Sequence, residues 1–104
     1  MVVYDLKAIA ELGKENNILT AIDNSFACSY LQSPLLLGID ISMISCSKYL
    51  GGHSDVVLGV MATNNKKVYE ELFSVNETAG TTPSPFESYL VLRSLKTLEV
   101  RVTK

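Results

Sequence analysis

Residues 45–55 read SCSKYLGGHSD. One lysine, Lys48, stands there between small hydroxyl residues and a pair of glycines. The run before it, IDISMIS at 39–45, is apolar and β-branched, the pattern of a strand. Upstream, NILTAID predicts a short buried strand over 18–23 that ends at Asp23. About fifteen residues link the two, enough for a crossover between parallel neighbours. Within that link NSFACSYLQSP reads as irregular, and LLLG reads as a brief helical turn closed by Gly38. Downstream, DVVLGVMAT at 55–63 is almost continuously apolar and predicts a third strand covered on both faces.

Helices flank these strands. Asp5 can cap a helix over residues 5–17, with Leu6, Ile9 and Ala10 on one face and Lys7, Glu11, Lys14 and Glu15 on the other. A second helix is expected over 65–76, pairing Val68 with Leu72 and Tyr69 with Phe73 at i,i+4. SPFE opens a third: Ser84 as N-cap, Pro85 in the first turn and Glu87 to close a capping box. It is expected to run unbroken over 85–102 on the apolar face of Leu90, Val91, Leu95, Leu98 and Val102. The order predicts an α/β fold with a mainly parallel sheet and flanking helices, in one segment over residues 1–104. Three strands with two open edges make a meagre free-standing sheet, so the organisation reads as the central piece of a larger domain.

Composition narrows the function classes. The 104 residues are 47% hydrophobic and carry nine Lys and Arg against eleven Asp and Glu, a net charge of -2. Scattered, balanced charge points away from nucleic acid. No apolar run approaches the length of a membrane span, and the N-terminus lacks the basic and apolar regions of a signal peptide. Cys28 and Cys46 are too few for a disulfide framework, and His53 stands alone, so no zinc site is expected. Two free thiols fit a reducing, cytoplasmic location.

In open α/β sheets ligands sit beyond the carboxyl ends of parallel strands, where Asp23 and Lys48 both fall. Burial there would raise an aspartate's pKa and lower a lysine's. A desolvated amine is a nucleophile towards an aldehyde. A carboxylate at a strand tip can pair with a protonated ring nitrogen. Ser45 and Ser47 can donate to phosphate oxygens, and Gly51 and Gly52 permit a tight turn. Pyridoxal 5'-phosphate carries all three partners: an aldehyde, a pyridine nitrogen and a phosphate. Spacing alone leaves the plainer alternatives open. Lys48 could be a solvated loop residue, Asp23 a turn cap and the serines strand-end polars. His53 reads as a structural hydrogen-bonding group, Cys28 as buried and inert, and Tyr30 as a residue near the site.

The stretch AIDNSFACSYLQSPLLLGIDISMISCSKYLGGHSDVVLGV resembles the cofactor segment of the pyridoxal-phosphate enzymes of cysteine and methionine metabolism. The similarity extends through DLKAIAELGKEN and SPFESYLVLRSLKTLEVR to essentially the whole chain, with DISM most like the cystathionine gamma-lyase branch. The resemblance implies the large cofactor domain of a fold-type I, aspartate aminotransferase-like enzyme. It implies a carbon–sulfur lyase or synthase acting on cystathionine or a related small sulfur amino acid, homo-oligomeric as a dimer of dimers at full length. Lys48 would be the Schiff-base lysine and proton shuttle, Asp23 the partner of the pyridine nitrogen, and Ser45 and Ser47 the phosphate ligands. Cys46 and Ser47 stand where the family pattern has alanine and threonine; the hydroxyl is kept. The family's upstream phosphate loop, its ring-stacking tyrosine, its cross-interface tyrosine and arginine and its substrate-gripping arginine have no counterpart here. The alternative is a truncated chain that folds or assembles without turnover.

Overall fold

The computed structural model describes residues 2–104. Helix α1 (Leu6–Glu15) starts where Asp5 accepts a hydrogen bond from the Ala8 amide at 3.1 Å. Leu6, Ala10 and Gly13 are its buried stripe, and Ile9 lies 39% exposed at the flank. A Cβ on Gly13 would stand 2.9 Å from the Ile18 carbonyl oxygen, so the returning chain packs directly on the helix. Leu6, Ala10 and Ile39 form a small core with Ile22 against it.

The strands are shorter than the apolar runs that predict them: β1 (Ala21–Asp23), β2 (Ile41–Ser45) and β3 (Gly59–Ala62). The sheet order is β1-β2-β3. Strands β1 and β2 are parallel, with Asp23 opposite Met43. Thr20 and Asp40 set that register. Asp40 accepts from the Thr20 amide and hydroxyl at 2.8 Å each, and its own amide donates to the Thr20 oxygen at 3.1 Å. The expected crossover is present, though the stretch read as irregular contains α2 (Cys28–Leu31). The brief turn is a 3-10 turn (Pro34–Leu37) closed by Gly38 at φ 96°.

Strand β3 corrects the expectation of a mainly parallel sheet. It pairs antiparallel with β2, Ser45 opposite Gly59 and Ser42 opposite Ala62, so the sheet is mixed. A helical crossover would be needed for a parallel return, and the link between β2 and β3 contains only the turn Cys46–Leu50 and a loop. The covered faces expected for this strand, and the burial expected for β1, are not found. All four β3 residues are exposed, and β1 buries only Ile22, in part.

Helix α3 (Lys66–Ala79) is capped by Asn65, whose side chain accepts from the Lys67 and Val68 amides, and it ends at Gly80 with φ 66°. Tyr69 and Phe73 stack at 5.9 Å, while Val68 is the helix's one buried residue. Helix α4 (Pro85–Leu95) has the expected capping box: the Ser84 hydroxyl accepts from the Glu87 amide at 3.2 Å, and Glu87 accepts from the Ser84 amide at 3.0 Å. The single helix expected over 85–102 is instead two, α4 and α5 (Leu98–Thr103). No proline or glycine breaks it. The Thr97 amide and hydroxyl both donate to the Ser94 carbonyl at 3.1 Å, and Arg101 adds a third donor at 2.9 Å. That carbonyl is consumed by a tightened last turn.

The main core lies where α4 and α5 meet the end of β2: Ile44, Cys46, Leu50, Val56, Leu90, Val91 and Leu98, with Cys28 from α2. Burying each large apolar side chain here is worth roughly 1.5–3 kcal/mol. The molecule is slab-like, 41 × 38 × 21 Å.

Candidate functional site

Strands β1 and β2 run in the same direction, so their carboxyl ends share one edge of the sheet. Asp23 is the last residue of β1, and Ser45 the last of β2. Ser25 joins them. Its amide and hydroxyl donate to Asp23 Oδ1 at 2.9 and 2.6 Å, and the same hydroxyl oxygen accepts from the Ser45 amide at 2.7 Å. The Ser25 hydroxyl, helped by its amide, holds the Asp23 carboxyl below the usual carboxylate range against a small opposing effect of burial. Oδ2 accepts from no protein group among the described residues.

The turn behind this edge is fixed by Asn24, which is 2% exposed. Its side chain donates to the Cys28 and Gln32 carbonyls at 3.1 and 3.0 Å and accepts from the Gln32 amide side chain at 2.8 Å. Every polar atom of that buried side chain is used, as burial demands. Asn24 and Ser25 were not among the residues predicted for the site. The signal available was their position directly after a strand-end aspartate, where Asx and Ser side chains bond nearby backbone.

Beyond Ser45 the chain enters a wide π-helical turn, Cys46–Leu50, that leaves the helical path at Lys48, φ -93° and ψ -118°. The turn is closed by the Gly51 amide on the Cys46 carbonyl and the Gly52 amide on the Lys48 carbonyl, each 2.7 Å. A Cβ on Gly51 would lie 2.7 Å from that Cys46 oxygen, so only glycine lets the turn close. The Lys48 side chain is exposed and makes no ion pair among the described residues. Asp23 is likewise exposed, so the burial expected to act on both charges is not a feature of this edge. Ser47 accepts from the Leu58 amide at 3.2 Å and keeps its hydroxyl proton to donate elsewhere.

The surface around these groups is grooved. Ser45 and Ser47 line one groove of about 520 Å³ with Gly59, Thr81, Thr82 and Glu87. Asp23 lines another of about 470 Å³ with Asn24, Phe26 and Tyr49. A groove of about 570 Å³ beside α1, lined by Lys7, Lys14 and Asp40 among others, lies apart from this edge.

The remaining sequence candidates have structural roles. His53 Nδ1 lies 2.6 Å from the Gly51 carbonyl, which makes that nitrogen the protonated one. The Tyr30 hydroxyl donates to Glu99 at 3.3 Å. Cys46 is 2% exposed, and burial pushes its thiol pKa up, which disfavours the reactive thiolate. Cys28 is also buried and free. Among the described residues no three His, Cys, Asp or Glu side chains gather as for a metal, and no helix is long and apolar enough to cross a membrane.

A strand-tip carboxylate held below the usual carboxylate range and Ser45 share one sheet edge, and Ser47 and Lys48 lie in the turn that follows; these are protein groups that suit a phosphorylated pyridine aldehyde. The family model for Cys/Met metabolism PLP-dependent enzymes matches residues 1–104, and the chain belongs to that family. Among curated relatives it is 47% identical over 100 residues to a cystathionine gamma-lyase of Dictyostelium discoideum, covering 96% of this chain and 26% of that one. It is 43% identical over 102 residues to a cystathionine gamma-synthase of Mycobacterium leprae, covering 98% of this chain and 26% of that one. A crystal structure of cystathionine gamma-lyase from Lactobacillus plantarum, complexed with L-serine, superimposes with a TM-score of 0.93 at 41% identity, covering 95% of this chain and 26% of that chain. The chain thus spans about a quarter of the length of the relatives it matches.

Proposed function

We propose that this chain forms the central part of a pyridoxal-phosphate-binding domain, in a protein that cleaves or exchanges a carbon–sulfur bond of cystathionine or a related sulfur amino acid. When bound, the cofactor supplies an electron sink for negative charge at the substrate's α carbon. Lys48 would hold the cofactor through its aldehyde carbon, the aldehyde oxygen leaving as water. Its free amine would take and return protons at the substrate's α and β carbons. Asp23 pairs with the pyridine nitrogen and keeps it protonated. Ser45 and Ser47 donate to the phosphate. The resemblance implies a homo-oligomer, a dimer of dimers, for full-length family members, and the same assembly is proposed for the protein that carries this segment.

One observation carries the cofactor reading. Ser25 ties Asp23 to the end of β2 and spends both its donors on Oδ1. The carboxylate stays ionised with Oδ2 available to an N–H, as a pyridinium partner must. The residues present therefore suit the group. The names of the relatives support the substrate class.

Borohydride reduction after incubation with pyridoxal phosphate, followed by peptide mapping, tests the assignment. We expect the adduct on Lys48 and none in Lys48→Ala. An adduct that persists in that variant refutes the lysine assignment. Cysteine release from cystathionine by the loaded protein tests the reaction, and cofactor binding without it would leave the non-catalytic alternative.

A further inference from the structure

Arg101 makes no ion pair among the described residues. Its guanidinium is spent on neutral oxygens instead. Nη1 donates to the Tyr49 carbonyl at 2.7 Å, and Nη2 to the Leu50 and Ser94 carbonyls at 3.3 and 2.9 Å. Nε donates to the Thr97 hydroxyl at 3.1 Å. Tyr49 and Leu50 are the two residues that follow Lys48 in its turn. Ser94 and Thr97 are the break between α4 and α5. One planar side chain thus fastens the lysine turn to the corner of the two helices.

The second glycine of the opening motif belongs to the same device. Gly52 has φ 71°, and a Cβ built on it would run into the Arg101 guanidinium. Its amide closes the turn on the Lys48 carbonyl at 2.7 Å. The Lys48, Tyr49 and Leu50 carbonyls are therefore all engaged, one by the Gly52 amide and two by Arg101. Gly52 leaves the space that Arg101 fills.

We infer that Arg101 is a positioning residue for Lys48. It holds the turn so that the amine is presented towards the cofactor's aldehyde, and Gly52 is required because the guanidinium occupies its side-chain space. This rests on the reading of Lys48 as the covalent attachment point. A fork of N–H donors can serve several carbonyls at fixed angles, which a lysine ammonium cannot reproduce. The cation also sits at the C-terminus of α4, where the helix dipole favours it.

The test separates capture of the aldehyde from docking of the ring and phosphate. In the cofactor-free protein, stopped-flow absorbance follows covalent capture of pyridoxal phosphate. Calorimetry follows binding of 4'-deoxypyridoxine 5'-phosphate, which has no aldehyde. Arg101→Met is expected to slow capture roughly tenfold, the scale of a small misplacement of a reacting group. Affinity for the deoxy analogue is expected to stay unchanged, and Arg101→Lys to recover part of the rate. Equal losses in capture and analogue affinity, or no loss in either, would overturn the inference. Should Arg101→Met fail to fold, Thr97→Val removes the acceptor of Nε, together with that hydroxyl's own bond to the Ser94 carbonyl, and the same split is expected at smaller size. Its absence would overturn the inference too. An adduct mapped in the parent chain to a residue other than Lys48 overturns the underlying reading, whatever the arginine variants do.

Discussion

Around Lys48 the carbonyls of Cys46, Lys48, Tyr49 and Leu50 all have donors, and Cys46 and Leu50 are buried with Leu90, Val91 and Leu98. Along β3 and α3 the picture is reversed. All four strand residues are exposed, Val68 alone is buried on a helix of fourteen residues, and the aromatic pair Tyr69–Phe73 faces outward. The two regions are joined directly, since the Cys46 amide bonds the Leu58 carbonyl and β3 begins one residue later. Geometry at the lysine turn is determined by contacts from α4, α5 and the end of β2. The β3–α3 arm is held by its pairing with β2, by buried Val68 and by half-buried Leu72. Local stability follows buried contacts rather than secondary structure as such.

The sharpest way to break this contrast is a pair of truncations. Leu90→Ala, beneath the turn, should cost about 2–5 kcal/mol, whereas Phe73→Ala on the arm should stay within about 0.5 kcal/mol. Urea midpoints at constant slope read both, and comparable losses would show that the arm is as tightly packed as the turn. Next in size is Ser25→Ala. It removes two bonds and leaves the Ser45 amide without its acceptor, for an expected loss of about 1–3 kcal/mol. A neutral result would mean that the tips of β1 and β2 are not coupled through that hydroxyl. Smaller again is Ser84→Ala, which opens the capping box of α4 at a cost of about 1 kcal/mol. An unchanged melt there would imply that packing of Leu90 and Val91 alone sets the start of α4.

What could be read from the residues divides along the same line. The capping box at Ser84 and Glu87, the Asp5 cap and the 3-10 turn at Gly38 depend on a few neighbouring residues, and each is in place. The common edge for Asp23 and Ser45, the last residues of β1 and β2, also followed from local rules, because parallel strands joined by a crossover end on the same side. The direction of β3 did not, since an apolar run carries no sign of which way it pairs. Its exposure was hidden for a related reason: continuous hydrophobicity reports that a strand suits burial, not which surface lies against it. The clamp by Arg101 depends on partners some fifty residues away, and the break at Thr97 on local bonds to the Ser94 carbonyl that Arg101 joins; a long apolar stripe gives no hint of either. Ser25 and Asn24 were closest to legible. Their positions after Asp23 invited a turn, but the bond to Ser45 spans twenty residues and needs the sheet to exist.

The smallest expected effect is the most specific to the candidate site. Ser25 holds the Asp23 pKa below its ordinary value, chiefly through its hydroxyl. A carboxyl depressed in the folded state contributes stability that is fully present above the unfolded pKa, about 3.9. That contribution is lost as pH falls through the lower folded value. The group is exposed, so the contribution is modest and screened by salt. Ser25→Ala removes both the hydroxyl that lowers this pKa and the link to β2. Above about pH 5, parent and variant should therefore differ by a constant offset, the broken link together with the hydroxyl's share in stabilising the ionised Asp23. Below about pH 4 that offset should shrink towards the cost of the link alone, because the parent has the more strongly depressed Asp23 to lose, the variant keeping only the Ser25 amide bond. Urea midpoints collected in small pH steps at low ionic strength resolve this. Curves that stay parallel to the acid limit would mean that Ser25 ties the strands together without holding the carboxylate ionised, and would remove the main support for Asp23 as the partner of a pyridinium nitrogen.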